Sequence, residues 1–153
     1  MRNLVDDSLM EQQVVEEPMQ TVTETAPSSK TKVWVGRVMS GLVVLFLVFD
    51  SVLKFIQPAP VVEASQHLGL PLSLTVPIGI ILLVCTMLYA IPRTSILGAI
   101  LLTGYLGGAV LTHLRVGDPL FSHVLFPTYM GVLLWGGLYL REDRLRALLP
   151  LKS

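Results

Sequence analysis

Residues 74–114 read LTVPIGIILLVCTMLYAI, then PR, then TSILGAILLTGYLGGAVLTHL. Two apolar runs, 74–91 and 94–114, are parted only by Pro92 and Arg93. At a helical rise of 1.5 Å per residue they reach about 27–32 Å, which matches a hydrocarbon core of about 30 Å. Neither run alternates polar with apolar residues as a barrel strand does, and lipid admits only helices or closed barrels because backbone groups find no water there. The segment is therefore a membrane-crossing helical hairpin. Working outward, a similar run precedes it at 34–56 and another follows at 121–140. The expected fold class is all-α: a four-helix transmembrane bundle.

Composition agrees. Of 153 residues, 52% are hydrophobic and 14% charged, against about 25% charged in soluble domains. The zero formal net charge conceals an asymmetry: residues 1–29 carry six acidic side chains and one basic. This acidic, Ser/Thr/Pro-containing stretch cannot bury enough apolar surface to offset its ordering entropy. It is expected to be a disordered tail over 1–31, with the membrane domain at 32–153. It does not resemble a signal peptide, so the first helix is expected to act as the targeting element. Cys85 alone cannot close an internal disulfide, and no dense basic field suggests nucleic acid as a partner. The expected partner is the lipid bilayer.

The connections carry further information. Thr94 or Ser95 can cap the third helix after the Ile91–Pro92–Arg93 turn. In the longer loop, Pro60 stands near the start and Gly69 just after the end of a candidate short helix that would lie along the membrane surface, with Val61, Val62, Ser65 and Leu68 on one side; an irregular loop is the equal alternative. Lys30, Lys32, Arg37, Arg93, Arg141, Arg144, Arg146 and Lys152 fall on one side of the membrane, and Lys54 and Arg115 on the other. The positive-inside rule then puts both termini in the cytoplasm. Gly98, Gly104, Gly107, Gly108, Gly131, Gly136 and Gly137 are expected to mark close helix packing, Gly104 and Gly108 as a small-xxx-small pair. Pro77 and Pro127 are expected to kink or loosen their helices.

Polar groups in the apolar runs are few. Asp50 and Lys54 lie one turn apart on one helix face. His113, Arg115, Asp118 and His123 cluster at the end of the third helix and the start of the fourth, and Tyr105 shares a stripe with His113. With the orientation above, these seven form a candidate polar pocket at the outer face. Ionisable groups in a membrane segment usually face the bundle interior or a watery cavity. The simplest account of Asp50 and Lys54 is an internal ion pair. The histidines suit proton relay, a hydrogen bond to a quinone carbonyl, or headgroup contact. Two histidines on different elements do not make a metal site, and no catalytic residue is assigned because no P-loop, dinucleotide or catalytic-triad motif is present.

From Val35 to Leu151 the chain resembles the DoxX-like membrane proteins, four-helix proteins of bacterial inner membranes. The resemblance rests on Phe49–Lys54, Leu68–Pro71 and Ile91–Thr94, and most of all on Gly98–Ala109 and His113–Pro119. Ser122–Pro127 and Trp135–Arg141 complete it. It implies an inner-membrane location. The wider group is named for a subunit of a thiosulfate:quinone oxidoreductase, and its members are linked to sulfur and oxidative-stress handling beside soluble redox enzymes. The resemblance implies no catalytic residue. The expected role is an accessory subunit binding a lipid-soluble ligand, with quinone the candidate cofactor, or docking a soluble redox enzyme. The alternatives are a quinone-linked oxidoreductase subunit, with Asp50 and His113 relaying protons, and a small transporter, with a homo-oligomer among the arrangements considered.

Overall fold

The computed structural model describes residues 30–148. The acidic segment 1–29, and with it nearly all of the expected tail, lies outside the described residues. The elements are α1 (Lys30–Ile56), α2 (Ala59–His67), α3 (Thr75–Ala90), α4 (Ser95–Arg115), α5 (Phe126–Arg141) and α6 (Asp143–Leu148). A 3₁₀ turn, Leu72–Leu74, leads into α3, and a single π-turn, Leu120–Val124, leads into α5. Four helical spans, Lys30–Ile56, Leu72–Ala90, Ser95–Arg115 and Leu120–Arg141, are long and apolar enough to cross a membrane. The first is already helical at Lys30, earlier than the hydropathy of the sequence suggested.

Both α1 and α4 pack on α3 and on α5, giving an up-and-down bundle. Its core is Val43 and Leu47 of α1, Leu82, Cys85 and Tyr89 of α3, Leu102 and Leu106 of α4, and Leu134 and Leu138 of α5. The outer faces expose Leu45, Ile81, Leu111 and Val132. So large an apolar exterior suits lipid and not water. The chain is a multi-pass membrane protein.

Tyr89 is the polar centre of the end that carries α6. Its ring is fully buried. Its hydroxyl donates to the Leu134 carbonyl at 2.9 Å, so the Ser40 hydroxyl, 2.9 Å away, donates to it. Arg141 donates to the Tyr89 carbonyl at 3.0 Å and lies 5.0 Å from its ring centroid, within cation–π range.

The glycines divide by helix face. A Cβ at Gly98 would lie 2.2 Å from the Tyr89 amide nitrogen, and one at Gly137 would lie 2.7 Å from Ser40 Oγ. Gly136 meets Met39 at 3.2 Å. These three are close-approach positions, and so is Gly36, where a Cβ would meet the Gly137 carbonyl oxygen at 2.8 Å. Gly104, Gly107 and Gly108 depart from expectation, because a Cβ at any of them meets nothing within 4 Å. The cause is helical phase. Ser95, Gly98, Ala99, Leu102 and Leu106 form the buried face of α4, and at 100° per residue the other three glycines fall on its far side. Gly131 touches only Leu106, at 3.8 Å.

Two local expectations are also corrected. Pro77 and Pro127 sit in the first turns of α3 and α5, where a missing N–H breaks no intrahelical bond, so neither kinks a helix interior. Thr94 and Ser95 make no side-chain cap on α4. Their hydroxyls donate instead to the Leu88 carbonyl at 2.8 Å and the Pro92 carbonyl at 3.1 Å, fastening the α3–α4 turn.

Candidate functional site

The site lies at the end of the bundle opposite α6, where α1 and α4 finish. Two helix ends there fold in the same way. At the end of α4, Gly117 takes φ +75°. The Gly117 amide donates to the Leu114 carbonyl and the Asp118 amide to the His113 carbonyl, both at 3.2 Å. At the end of α2, Gly69 takes φ +66°, with Gly69 donating to Gln66 and Leu70 to Ser65, both at 2.9 Å. Both are Schellman caps, which require a left-handed residue after the helix and so favour glycine. Each reversal turns the residues around its glycine back over the preceding helix.

The two caps are clasped together. Asp118 Oδ2 accepts from His113 Nδ1 at 2.6 Å, and Oδ1 accepts from His67 Nε2 at 2.7 Å. Arg115 donates to the Leu68 carbonyl, and its guanidinium lies 3.4 Å from where a Gly69 Cβ would stand. The hydrogen bonds from His113 and then His67 hold the Asp118 carboxyl below the usual carboxylate range. The carboxylate side chain is 10% exposed, that of His113 25% and that of His67 61%, so access to the cluster comes from the His67 side and past His113. Burial of Ser65, with Glu63, Ala64 and Gln66 exposed, gives α2 the one-sided character expected of a surface helix.

His123 sits on the π-turn after Pro119, the kind of helical irregularity often found at functional sites. Its ring centroid is 6.0 Å from that of His113, and its Nδ1 is 2.8 Å from Ser122 Oγ. Because His113 donates its Nδ1–H to Asp118, the free nitrogen of His113 is Nε2. A carboxylate so placed fixes the tautomer and the orientation of the ring. As the neutral Nδ1–H tautomer His113 accepts at Nε2 from a hydroxyl group, and with both nitrogens protonated it donates there to a carbonyl; His123 stands beside it as a second partner for the same head group.

The remaining candidates divide. Lys54 Nζ lies 2.6 Å from both Asp50 oxygens. A Cβ at Gly79 would come within 3.0 Å of Lys54 Cβ, so glycine on α3 makes room for this pair. Asp50 stands six residues before the end of α1, about 9 Å along the helix, at the same end as His113. Among the described residues no hydrogen bond joins the pair to the Asp118 cluster. Tyr105, ten residues before the end of α4, lies about 15 Å below that helix end and packs against the core. The structure therefore brings His113, Arg115, Asp118 and His123 into one cluster, places Asp50–Lys54 as a separate pair, and leaves Tyr105 below both. It also adds His67, which sequence reasoning missed. The only signal for His67 was its place two residues before a glycine that ends a short helix. Among the described residues no group of three His, Cys, Asp or Glu side chains is arranged to hold a metal.

The profile of the DoxX-like family matches residues 38–137, which include every member of this cluster. The chain belongs to the DoxX-like family. This DoxX-like chain is also 31% identical over 141 residues to the heme exporter protein B of Paracoccus denitrificans (strain Pd 1222), covering 76% of this chain. It spans 61% of the length of that protein. No solved structure matches the DoxX-like chain.

Proposed function

We propose that this DoxX-like chain is an accessory membrane subunit that binds the polar head of a lipid-soluble ligand of the quinone class at its histidine cluster. The observation that carries the reading is the Asp118 carboxylate shared by His67 and His113. It leaves His113 Nε2 available beside His123, at the depth where a quinone head would meet the interface. The cluster has hydrogen-bonding groups without a nucleophile or a redox centre of its own, which favours binding or partnering over chemistry by this chain alone. A soluble redox enzyme docking near the clasped loops would exchange electrons with the bound quinone. The bias of lysine and arginine toward the opposite end supports cytoplasmic termini in a bacterial inner membrane, with the cluster on the outer side.

The enzymatic alternative routes protons through Asp50 and His113, with Lys54 or Arg115 steering an anionic substrate. It is less well supported, since Asp50 is held by Lys54 and Arg115 by Leu68. A transporter reading is weaker still, because Asp50, Lys54 and the histidine cluster all lie toward one end of the bundle, with no hydrogen-bonded polar path to the other among the described residues. The likeness to a protein named as a heme exporter favours a second reading, in which the exposed histidines hold haem.

Quinone affinity in lipid nanodiscs tests these readings. Wild type should bind a short-tailed benzoquinone, and His113→Ala and Asp118→Asn should each weaken it about ten-fold, the equivalent of one hydrogen bond. Asp50→Asn should not. Absence of wild-type binding overturns the proposal. A Soret shift on haem titration that disappears in His123→Ala would put the second reading in its place.

A further inference from the structure

Between α4 and α5 the surface of the membrane-spanning region opens into a groove of about 390 Å³, within the usual size of a small-ligand pocket. Thr103, Gly107 and Val110 line it from α4, and Pro127, Gly131 and Trp135 from α5. Its existence depends on the two glycines. A Cβ at Gly107 meets nothing within 4 Å, and one at Gly131 meets only a Leu106 methyl at 3.8 Å. Residues that the sequence marked for packing instead keep a slot open.

The slot has a floor braced by hydrogen bonds and a top directed toward the histidines. At the floor the Trp135 indole N–H donates to Thr103 Oγ1 at 2.9 Å, and the Thr103 hydroxyl donates to the Ala99 carbonyl at 2.8 Å. Those donors are spent, so the slot offers an almost wholly apolar wall. It runs along α4 for about 10 Å, from Thr103 to Val110. At the top, Val110 stands three residues before His113 and Pro127 four after His123. The mouth is therefore about one helical turn below the imidazole pair.

We propose that this groove holds the isoprenoid tail of the quinone-class ligand whose head meets His113 and His123; the inference rests on the function proposed above. Continuity between an apolar slot and a pair of hydrogen-bonding rings fits a molecule with one apolar chain and a small carbonyl-bearing head. A phospholipid would fill the slot as well, but its phosphate would seek a free cation at the mouth, where Arg115 is already bonded to the Leu68 carbonyl. The tail enters from lipid and not from water. The groove therefore contributes packing and alignment of the head, with little hydrophobic gain, and its effect on affinity is modest.

The test uses full-length protein in nanodiscs. The chain has two tryptophans, and Trp34 is exposed on α1, so Trp34→Phe leaves Trp135 as the reporter in the groove. Two benzoquinones, one with a short isoprenoid tail and one with none, are titrated against its fluorescence. Gly107→Leu and Gly131→Leu extend into the slot from positions where a Cβ meets no backbone within 4 Å; helical content by circular dichroism verifies folding, and the alanine variants serve as milder steps. Both leucine variants should bind the tailed quinone about five- to ten-fold more weakly, with tail-less binding unchanged. His113→Ala should weaken both ligands. If the leucine variants keep full affinity for the tailed quinone while His113→Ala loses it, the tail site is wrong and the head site stands. If neither quinone binds wild type, the underlying function fails and the groove assignment with it. Quenching of Trp135 by a phospholipid brominated on its acyl chain, unrelieved by the tailed quinone, assigns the groove to bulk lipid and overturns the inference.

Discussion

Replacing single glycines of α4 by alanine should have opposite effects on stability depending on which face the glycine occupies. At Gly98 a Cβ would stand 2.2 Å from the Tyr89 nitrogen and 2.5 Å from its Cα. Both are backbone atoms of a residue fixed by four interactions, so α3 and α4 must separate by an ångström or more. Overpacking of this kind costs about 2–3 kcal/mol, and separation also strains the Tyr89 hydroxyl bonds. At Gly104 and Gly108 the new methyl group enters open space. There the change removes only the backbone freedom of glycine, worth up to about 0.5–1 kcal/mol in favour of the helix. Cys85, the single cysteine, is buried, so reaction with a fluorogenic thiol dye during heating reports unfolding directly. Gly98→Ala should lower the unfolding temperature by about 5 °C or more, while Gly104→Ala and Gly108→Ala should leave it unchanged or raise it slightly. A Gly98→Ala variant as stable as wild type would refute the close approach of α3 and α4. Destabilisation by Gly104→Ala equal to that by Gly98→Ala would mean that the outer face of α4 is packed, as in an oligomer of this chain.

Three further outcomes are expected. Tyr89→Phe removes the hydroxyl bonds to Ser40 and Leu134; at about 0.6 kcal/mol for each interhelical bond in a membrane, thermal unfolding should register a loss of about 1 kcal/mol. Asp50→Ala strands the Lys54 ammonium in the apolar span and should reduce membrane insertion and thermal stability. The Asp50→Leu, Lys54→Leu double variant should recover most of that loss, because paired charges can be exchanged for apolar residues at little cost; failure to recover would give the pair a role beyond pairing. For Asp118, whose carboxyl is held below the usual range by His113 and His67, the carboxylate's contribution to the loop clasp is complete above its unfolded pKa of about 3.9. It disappears as pH falls through the lower folded value. Amide exchange in 59–69 should show protection lost only in that acid window, and Asp118→Asn should lose it at neutral pH; protection unchanged in that variant would remove the clasp.

The spans were legible because lipid imposes a length and forbids unpaired backbone, and both demands appear directly as apolar runs. The Schellman ends at Gly69 and Gly117 were half legible: glycine after a helix signals a stop, but not that the two stops would meet. Interior and exterior faces were not legible. In a soluble helix water marks the outer side with polar residues, whereas here Leu111 faces out and Leu106 faces in with the same chemistry. That is why Gly104, Gly107 and Gly108 were read as packing surfaces. The Ser40–Tyr89–Arg141 network joins residues far apart in the chain, each unremarkable alone. The polar candidates at 113, 115, 118 and 123 were found because charge near a span is rare. His67 escaped because a histidine in a connecting loop carries no such contrast.

Ring-nitrogen NMR of nitrogen-15 histidine in nanodiscs tests the ligand site most directly, since the chain has three histidines and single substitutions assign each signal. On titration with a short-tailed quinone, His113 Nε2 and the His123 ring should shift saturably, while His113 Nδ1 stays protonated toward Asp118. Histidine signals that remain unmoved at quinone concentrations saturating the bilayer would contradict the assignment of this cluster as the ligand's seat.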